Sequence, residues 1–311
     1  MRFFNRVGTN VLLSGDAGTN WSSIYTTINS ANLILKHTPE ISFTNEATRN
    51  EVMANAYFLR AYCYFTLVRV FGDCPLLTSG FESEKQEDMY PSRTAASEVY
   101  AQVETDIEEA LRLMPASSKL LHKASPAAIN MLRTEYYLWK AKRLGGGNAA
   151  LSTAQSSVDA VLKAGYALLP TFADIFNLNN EANSELIWTL PYIVNENVTP
   201  GTSPNFFAYY LAPNGDRTRL REAGYTEDEV PAGSHAQYVV PTQAYCDFLA
   251  EDARDTRTDV SVRVFEDKFL TEEVQIKRMV VKFKGSFAND TRSFDSDVPV
   301  YRFGRSLSFE S

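Results

Sequence analysis

The sequence predicts a mostly α-helical protein, built from antiparallel helix pairs that stack as in a tetratricopeptide array. Three observations support this: five amphipathic segments in the first half, short connections between them, and one helix that is apolar over a wide arc. The consensus tetratricopeptide repeat is not matched, so only its helix-pair packing is predicted. We expect residues 1–165 to form this scaffold and residues 166–311 to form an irregular, loop-rich ligand-binding part with a few short strands, packed on the helices.

The first two predicted helices have clear ends. Thr19 and Asn20 are good N-cap residues for the first, and Pro39 ends it. The second closes at Gly72-Asp73 and Pro75. Its apolar positions form two adjacent stripes, so it must be covered on two sides, like an inner helix of a stacked array. The stripes are Val52, Ala56, Leu59, Cys63, Leu67 and Val70, and beside them Tyr57, Ala61, Tyr64 and Val68.

Three further helices follow. The third is predicted from Ser97 to Met114, with inward apolar residues at helical spacing and an outer face of Glu104, Glu108 and Arg112. Ser125-Pro126 looks like an N-cap followed by proline at the first helical position of the fourth helix, which ends at Gly145-Gly146-Gly147. The fifth is predicted from Ala149 to Ala164.

The helical periodicity of the sequence ends after Gly165, and its composition changes. Leu186 to Leu190 is a short strand candidate. From Asn195 to Gly233 the chain is rich in Pro, Gly, Asn and Tyr and has no periodicity. Such long irregular stretches inside compact proteins are usually functional or disordered, and the aromatic residues here argue against disorder.

Composition excludes several classes of protein. Thirty Lys and Arg against 38 Asp and Glu give a formal charge of −8, which disfavours a nucleic-acid binder. The three scattered residues Cys63, Cys74 and Cys246 form neither a zinc-ligand spacing nor a disulfide framework, and we expect neither metal nor cofactor. No apolar run approaches the roughly 20 residues that span a bilayer, and no secretory signal is evident, so the chain read literally stays in the cytoplasm.

One segment closely resembles a known family. Ala56 to Leu76 reads AYFLRAYCYFTLVRVFGDCPL, similar to the aromatic-rich A-x-FLRAYxYFxLVRxFGDxPL helix of the SusD/RagB nutrient-uptake lipoproteins. The resemblance is strong to about Trp188 and loose after it, where Pro299 to Phe303 is similar to the start of the family's C-terminal helix. Neighbouring family positions agree in order: Trp21, Tyr25, Ile28 and Asn32 before the segment, and Arg93, Thr94, Glu98, Val99, Tyr100, Asp106 and Ala110 after it.

Two departures from the family pattern stand out. Family members normally begin with a signal peptide and a lipid-carrying cysteine, whereas this chain starts partway along the pattern. Gly304 to Ser311 departs from the apolar C-terminal helix of the family. We therefore expect a truncated or frame-shifted gene fragment, a hypothesis that the flanking genomic DNA would test.

The resemblance implies non-catalytic glycan binding at the cell surface, associated with the outer membrane, and delivery to a SusC-like TonB-dependent transporter. Sugars present C–H faces that stack on aromatic rings and hydroxyls that need polar partners. Residues of the irregular segment supply both, although each could instead pack that segment onto the helices. The expected stacking residues are Phe206, Tyr209, Tyr210 and Tyr225, and the expected hydroxyl partners are Asn205, Asn214, Asp216 and Arg219.

Alternative functions receive less support. A cytoplasmic helical-repeat scaffold that binds a protein or peptide would explain the helices but not the family signature. A glycoside hydrolase needs two facing carboxylates, and acidic runs such as Glu227 to Glu229 are more typical of solvated surface. The histidines are isolated, so we predict no enzyme. We expect structural roles for the signature residues Tyr57, Arg60, Tyr64, Arg69 and Asp73, with Arg60 and Arg69 pairing carboxylates or loop carbonyls.

Overall fold

The computed structural model divides the chain into two compact units. The first comprises Arg6–Ala167 and Tyr301–Ser311, and the second comprises Leu168–Val300. The residues described are 20–83, 91–198, 212–213, 217–222, 224–226, 229, 232–233, 241–267 and 275–310.

The first unit is helical, as predicted. α1 packs on α2, α2 on α3, and α4 on α5. A short 3-10 turn, Thr38–Glu40, follows α1 and contains the predicted stop at Pro39. The helices are α1 Ser22–His37, α2 Glu46–Phe71, α3 Ala96–Leu113, α4 Pro126–Arg143 and α5 Gly147–Leu162.

Local capping chemistry sets several of these ends. The Asn45 side chain accepts a hydrogen bond from the Ala47 N–H at 2.9 Å and starts α2. Ser125 caps α4 in the same way, which confirms the predicted start. Gly72, with φ 69°, ends α2. The predicted start of α5 was two residues late, because Gly147 already belongs to the helix.

Helix α2 is the centre of the first unit. Residues 51–68 are all buried or half-buried, which confirms that the helix is covered on both sides. Phe58, Tyr64 and Leu67 are completely buried. Val70, which the sequence assigned to the apolar stripe, is 64% exposed, so the buried stripe ends one turn before the helix does.

The outer face predicted for α3 was partly wrong. Glu104 and Glu108 are half-buried, because they face polar residues of α4 rather than solvent. Glu104 accepts hydrogen bonds from the hydroxyls of Tyr136 and Tyr137 at 2.9 and 3.0 Å, and from Lys140 Nζ at 2.7 Å. These contacts fasten α3 to α4.

Helix α1 holds the segment that leaves α2. The Tyr25 hydroxyl donates to the Pro75 carbonyl at 2.7 Å. Asn29 binds both the N–H and the carbonyl of Phe81, at 2.7 and 3.1 Å. Asn32 donates to the carbonyls of Leu77 and Ser79, at 2.9 and 3.2 Å. The side chains of Lys36 and His37 then bind Glu82.

The described residues of the second unit contain little helix. Two 3-10 turns, Ala173–Phe176 and Leu178–Asn180, precede the predicted strand, which is confirmed as β1. The later elements are β2 Ala212–Pro213, α6 Arg217–Glu222, β3 Ala232–Gly233, α7 Gln243–Ala250, α8 Thr258–Ser261, β4 Val262–Asp267, β5 Gln275–Val280, β6 Ser286–Ala288, β7 Thr291–Ser293 and β8 Val298–Arg302, with β1 at Leu186–Leu190.

The strands pair two by two. β2 runs parallel to β3, β4 and β5 form an antiparallel pair, and so do β6 and β7; β1 pairs with β8. Asp297 secures the end of β1, because it accepts hydrogen bonds from the Thr189 hydroxyl at 3.1 Å and the Tyr192 N–H at 3.0 Å. Cys246, Leu249 and Val262 form a buried apolar cluster beside α7.

The last described element returns to the first unit. Helix α9, Phe303–Glu310, packs on α5. The family resemblance placed the start of this helix at Pro299, but residues Val298–Arg302 form β8 and the helix begins only at Phe303. The buried Tyr301 donates its hydroxyl to Glu135 at 3.1 Å.

Candidate functional site

The predicted binding segment is only partly described by the structure. Tyr225 lies after α6 and is half-buried, and the backbone of Arg219 lies within α6. The ligand-binding role of both residues stays a prediction. The other expected residues lie outside the described residues: Asn205, Phe206, Tyr209, Tyr210, Asn214 and Asp216.

The signature residues contribute to structure in the first unit. The Tyr64 hydroxyl exchanges hydrogen bonds with the Leu77 backbone, at 2.9 Å to the carbonyl and 2.6 Å from the N–H. Asp73 accepts a hydrogen bond from the Ala96 N–H at 2.9 Å, at the start of α3. The guanidinium carbon of Arg69 lies 3.9 Å from the ring centroid of Phe65, and Arg69 Nε donates a hydrogen bond to the Phe65 carbonyl.

A cavity of about 430 Å³ lies in the second unit. Three parts of the unit form its walls: the 3-10 turns at 173–179, the α8–β4 junction at 259–263, and the turn at 281–284 after β5. Ser296 completes the lining. Because ligand sites are usually concave and combine apolar walls with a few polar groups, this cavity is the candidate site.

The rings of Phe176 and Phe283 line the cavity beside the Lys282 side chain, and Phe172 packs next to them outside the lining. The ring centroids of Phe172 and Phe176 lie 5.1 Å apart, and those of Phe176 and Phe283 lie 5.3 Å apart, both edge-to-face. The Lys282 ammonium lies 4.2 Å from the Phe176 centroid, 5.3 Å from that of Phe172 and 5.4 Å from that of Phe283. These distances are within the range of cation–π attraction, so the three rings fix the position of the ammonium group.

The turn that carries Phe283 has an unusual backbone. Phe283 has φ 60°, a left-handed conformation that costs a non-glycine residue about 1–3 kcal/mol. Two residues later, Gly285 also has a positive φ, and a Cβ atom there would lie 2.0 Å from the Ser293 carbonyl oxygen. Only glycine fits this close approach. Strain of this kind is often found at ligand-binding positions.

Polar contacts hold the same turn against the β6–β7 hairpin. The buried Arg292 donates to the Lys284 carbonyl at 2.8 Å, and the Gly285 N–H donates to the Ser296 hydroxyl at 3.2 Å. Asn289 and Asp290 both have positive φ and form the two-residue loop, as expected of a type I′ hairpin turn. These contacts therefore hold the turn that carries Phe283 in a fixed position.

The other walls bring polar groups to the cavity. Asn177 and Asn179 lie on the 3-10 turns, and the Asn177 side chain accepts a hydrogen bond from the Asn179 N–H at 3.0 Å. Asp259 and Arg263 come from the α8–β4 junction. Arg263 Nε donates to the Glu229 carbonyl at 3.1 Å. Rings beside amides and charged groups suit an amphipathic ligand.

Sequence reasoning did not assign this cavity. It gave no binding role to Phe176, Lys282 or Phe283, and binding was expected at residues 205–225. One signal was available: an aromatic residue between two lysines, followed by glycine, at Lys282 to Gly285. It indicates a tight turn but does not reveal which distant segments face it.

Two features are absent from the described residues. No helix there is both long enough and apolar enough to cross a membrane. No group of three or more His, Cys, Asp or Glu side chains in that part of the chain is arranged to hold a metal ion.

The fold and the cavity define a protein with one unit of packed helix pairs and a second unit of short paired strands that carries an aromatic-lined pocket. Residues 5–137 match the family model SusD-like_3, described as starch-binding and associating with the outer membrane. SusD-like protein P25 of Formosa agariphila is 28% identical over 179 residues, which cover 55% of this chain and 31% of that protein. The first half of the chain is therefore similar to the SusD-like family.

Solved structures agree. A SusD superfamily protein from Bacteroides vulgatus is 27% identical, with a TM-score of 0.80 over 98% of this chain and 64% of that chain. NanU from B. fragilis, 24% identical, gives a TM-score of 0.83 over 99% and 63%, and a laminarin-binding SusD-like protein, 18% identical, gives 0.69 over 96% and 70%. The last two show the fold alone. Together they confirm the predicted tetratricopeptide-type helical fold.

Proposed function

We propose that this protein binds an oligosaccharide or polysaccharide at the cell surface without cleaving it, and delivers it to a SusC-like TonB-dependent outer-membrane transporter. The match of residues 5–137 to a family model described as starch-binding supports the glycan ligand, and the association with the outer membrane in the same description supports the location. The chain spans less than two thirds of the length of P25 and of the B. vulgatus and NanU chains. The activity of the whole protein is therefore a proposal.

The observation that carries the proposal is the aromatic wall of the cavity. Phe176 and Phe283 lie 5.3 Å apart, next to the amide side chains of Asn177 and Asn179. A sugar ring placed there would stack its C–H face on a phenyl ring and give its hydroxyls to the amides. The strained turn at Phe283 is held in place before any ligand arrives, which reduces the entropy cost of binding.

A binding experiment tests the glycan proposal. Calorimetry of the purified protein against a panel of neutral and acidic oligosaccharides should detect binding, and Phe176→Ala should weaken it by about tenfold, the loss of one stacking contact. Phe248→Ala is the matched control, because Phe248 lies on α7, is 62% exposed and does not line the cavity. Equal loss in both variants would remove the cavity from the proposal.

The predicted segment needs its own test. Tyr209→Ala combined with Tyr210→Ala should also weaken glycan binding if those side chains stack on the ligand as expected. If this double variant loses binding while Phe176→Ala keeps it, the sugar binds at the predicted segment rather than in the cavity.

Catalysis and delivery are separate questions. Incubation with the bound glycan should release no reducing sugar, and release would favour a glycoside hydrolase. Delivery requires that a TonB-dependent barrel from an outer-membrane extract co-purifies with the full-length protein. Capture of a peptide partner together with no response to any glycan would favour the helical-repeat scaffold instead.

A further inference from the structure

We propose that the cavity in the second unit binds an acidic sugar, one that carries a carboxylate or a sulfate group. This inference rests on the proposed glycan binding and adds the charge of the ligand. The observation behind this inference is the charge of the cavity lining. The lining contains three cationic residues and two anionic ones: Arg263, Lys282 and Lys284, and Asp174 and Asp259. Three positive and two negative charges leave one net positive charge, in a chain whose formal charge is −8.

The carboxylates of Asp174 and Asp259 should repel an anionic ligand only weakly. Oδ2 of Asp174 already accepts hydrogen bonds from the Thr171 N–H at 3.2 Å and from its hydroxyl at 2.9 Å. Asp259 is exposed, so water and salt screen its charge. The cationic residues Arg263, Lys282 and Lys284 are half-buried, and their field within the cavity is screened less.

Lys282 is the best placed of the three cations. The rings of Phe172, Phe176 and Phe283 lie 4.2–5.4 Å from its ammonium, and two of them, Phe176 and Phe283, line the cavity. An apolar surrounding strengthens the attraction between that charge and an anion in the cavity. A flexible surface lysine would lose side-chain entropy on binding, whereas this one is already held.

The combination matches one ligand chemistry. A uronate or a sulfated sugar has an apolar C–H face, which suits the rings, and an anionic substituent at the ring edge, which suits the ammonium and the guanidinium. Arg263 can present two N–H groups to a carboxylate or sulfate in the geometry that guanidinium favours. A neutral sugar would use the rings but not the charges.

The experiment compares three ligand classes by calorimetry: an oligogalacturonate, a sulfated galactan oligosaccharide and a neutral malto-oligosaccharide. At least one acidic ligand should bind about tenfold or more tightly than the neutral one, and its affinity should fall as salt is raised. The ligand that responds distinguishes a carboxylate from a sulfate.

Charge-removing variants locate the effect. Lys282→Met and Arg263→Gln should each lower the affinity for the acidic ligand about tenfold, a larger loss than either causes for a neutral ligand. The control is Arg254→Gln, because the Arg254 side chain is 91% exposed and does not line the cavity. Lys284→Gln serves as a further cavity variant if circular dichroism shows that Lys282→Met does not fold.

The outcomes separate the two proposals. Neutral binding that equals or exceeds acidic binding, with the cavity variants behaving like Arg254→Gln, overturns the acidic-sugar inference and leaves glycan binding standing. Acidic binding that all four variants lose equally also overturns it, because the charge effect is then not local. Binding of none of the three ligands, followed by no binding across the wider panel, overturns both proposals.

Discussion

Arg60 and Asp106 form a bidentate ion pair in the core of the first unit. Arg60 Nε and one terminal nitrogen donate to the two carboxylate oxygens of Asp106 at 2.8 and 2.7 Å, and the other terminal nitrogen donates to Asn32 at 2.7 Å. Arg60 is 5% exposed and Asp106 is fully buried. The pair joins α1, α2 and α3 through one guanidinium group.

Removing one member of this pair should destabilise the protein strongly. Arg60→Met leaves the Asp106 carboxylate buried without its cation, which should lower the free energy of unfolding by about 3–5 kcal/mol. Urea denaturation followed by circular dichroism measures the change. Arg60→Met combined with Asp106→Leu should lose less than Arg60→Met alone, because no buried charge remains. A loss below about 1 kcal/mol in the single variant would contradict this reading.

Glu104 should contribute more to stability than its neighbour Glu109, although both lie on α3. Glu104→Ala removes the acceptor for the Tyr136 and Tyr137 hydroxyls, which should cost about 1–3 kcal/mol. Glu109 pairs with Arg112 at the surface, so Glu109→Ala is the matched control and should cost less than about 0.5 kcal/mol. Chemical denaturation of both variants checks the difference, and equal losses would count against it.

The Glu104 carboxyl should make the stability of the fold depend on pH. Burial alone would raise the pKa of Glu104, but the hydrogen bonds from Lys140, Tyr136 and Tyr137 outweigh it and hold the pKa below its usual value. A carboxyl of lowered pKa stabilises the fold above its unfolded pKa, about 4.3, and loses that contribution as pH falls through the folded pKa. The stability gap between the native protein and Glu104→Gln should therefore narrow below about pH 4.

His37 should titrate above its usual range. Its hydrogen bonds to Glu40 and Glu82 raise the pKa of His37, because both carboxylates favour the charged ring. The resulting stabilisation is fully present below the unfolded pKa of about 6.5 and is lost as pH rises through the folded pKa. NMR titration should show Glu40→Gln and Glu82→Gln lowering the pKa of His37, whereas Glu46→Gln, at the start of α2, should not change it.

Gly285→Ala should damage the cavity, because its new Cβ would lie 2.0 Å from the Ser293 carbonyl oxygen. Gly145→Ala is the control: it also has a positive φ, but its Cβ would have nothing within 4 Å, so it carries only the backbone strain of about 1–2 kcal/mol. Gly285→Ala should destabilise more than Gly145→Ala and should abolish glycan binding that Gly145→Ala retains. Denaturation and calorimetry measure the two effects, and intact binding by Gly285→Ala would show that this turn does not shape the site.

Local signals predicted the helices well. Ser125 begins α4 and Gly72 ends α2, because capping depends on a few residues that are adjacent in sequence. The width of the apolar arc on α2 predicted that the helix is covered on two sides. Contacts between helices were harder to predict. Glu104 looks like a solvent-facing residue within α3, and only the position of α4 shows that it lies at an interface.

The candidate cavity was beyond this kind of reasoning. Its walls come from segments near residues 176, 260 and 283, so no local pattern brings them together. The positive φ of Phe283 gives no signal in the sequence either, since an aromatic residue is a poor indicator of left-handed backbone. The resemblance to a family leads to the proposal of a glycan ligand, but it does not indicate where in the described residues rings and cations lie close together.

The side chains of Tyr25, Asn29, Asn32 and Lys36 follow one another at intervals of four, three and four residues, so they share one face of α1. Sliding this helix along its axis by one turn, about 5.4 Å, would separate each of them from its partner in residues 75–82. These hydrogen bonds therefore couple the axial position of α1 to the path of residues 75–82, so that neither can shift without the other.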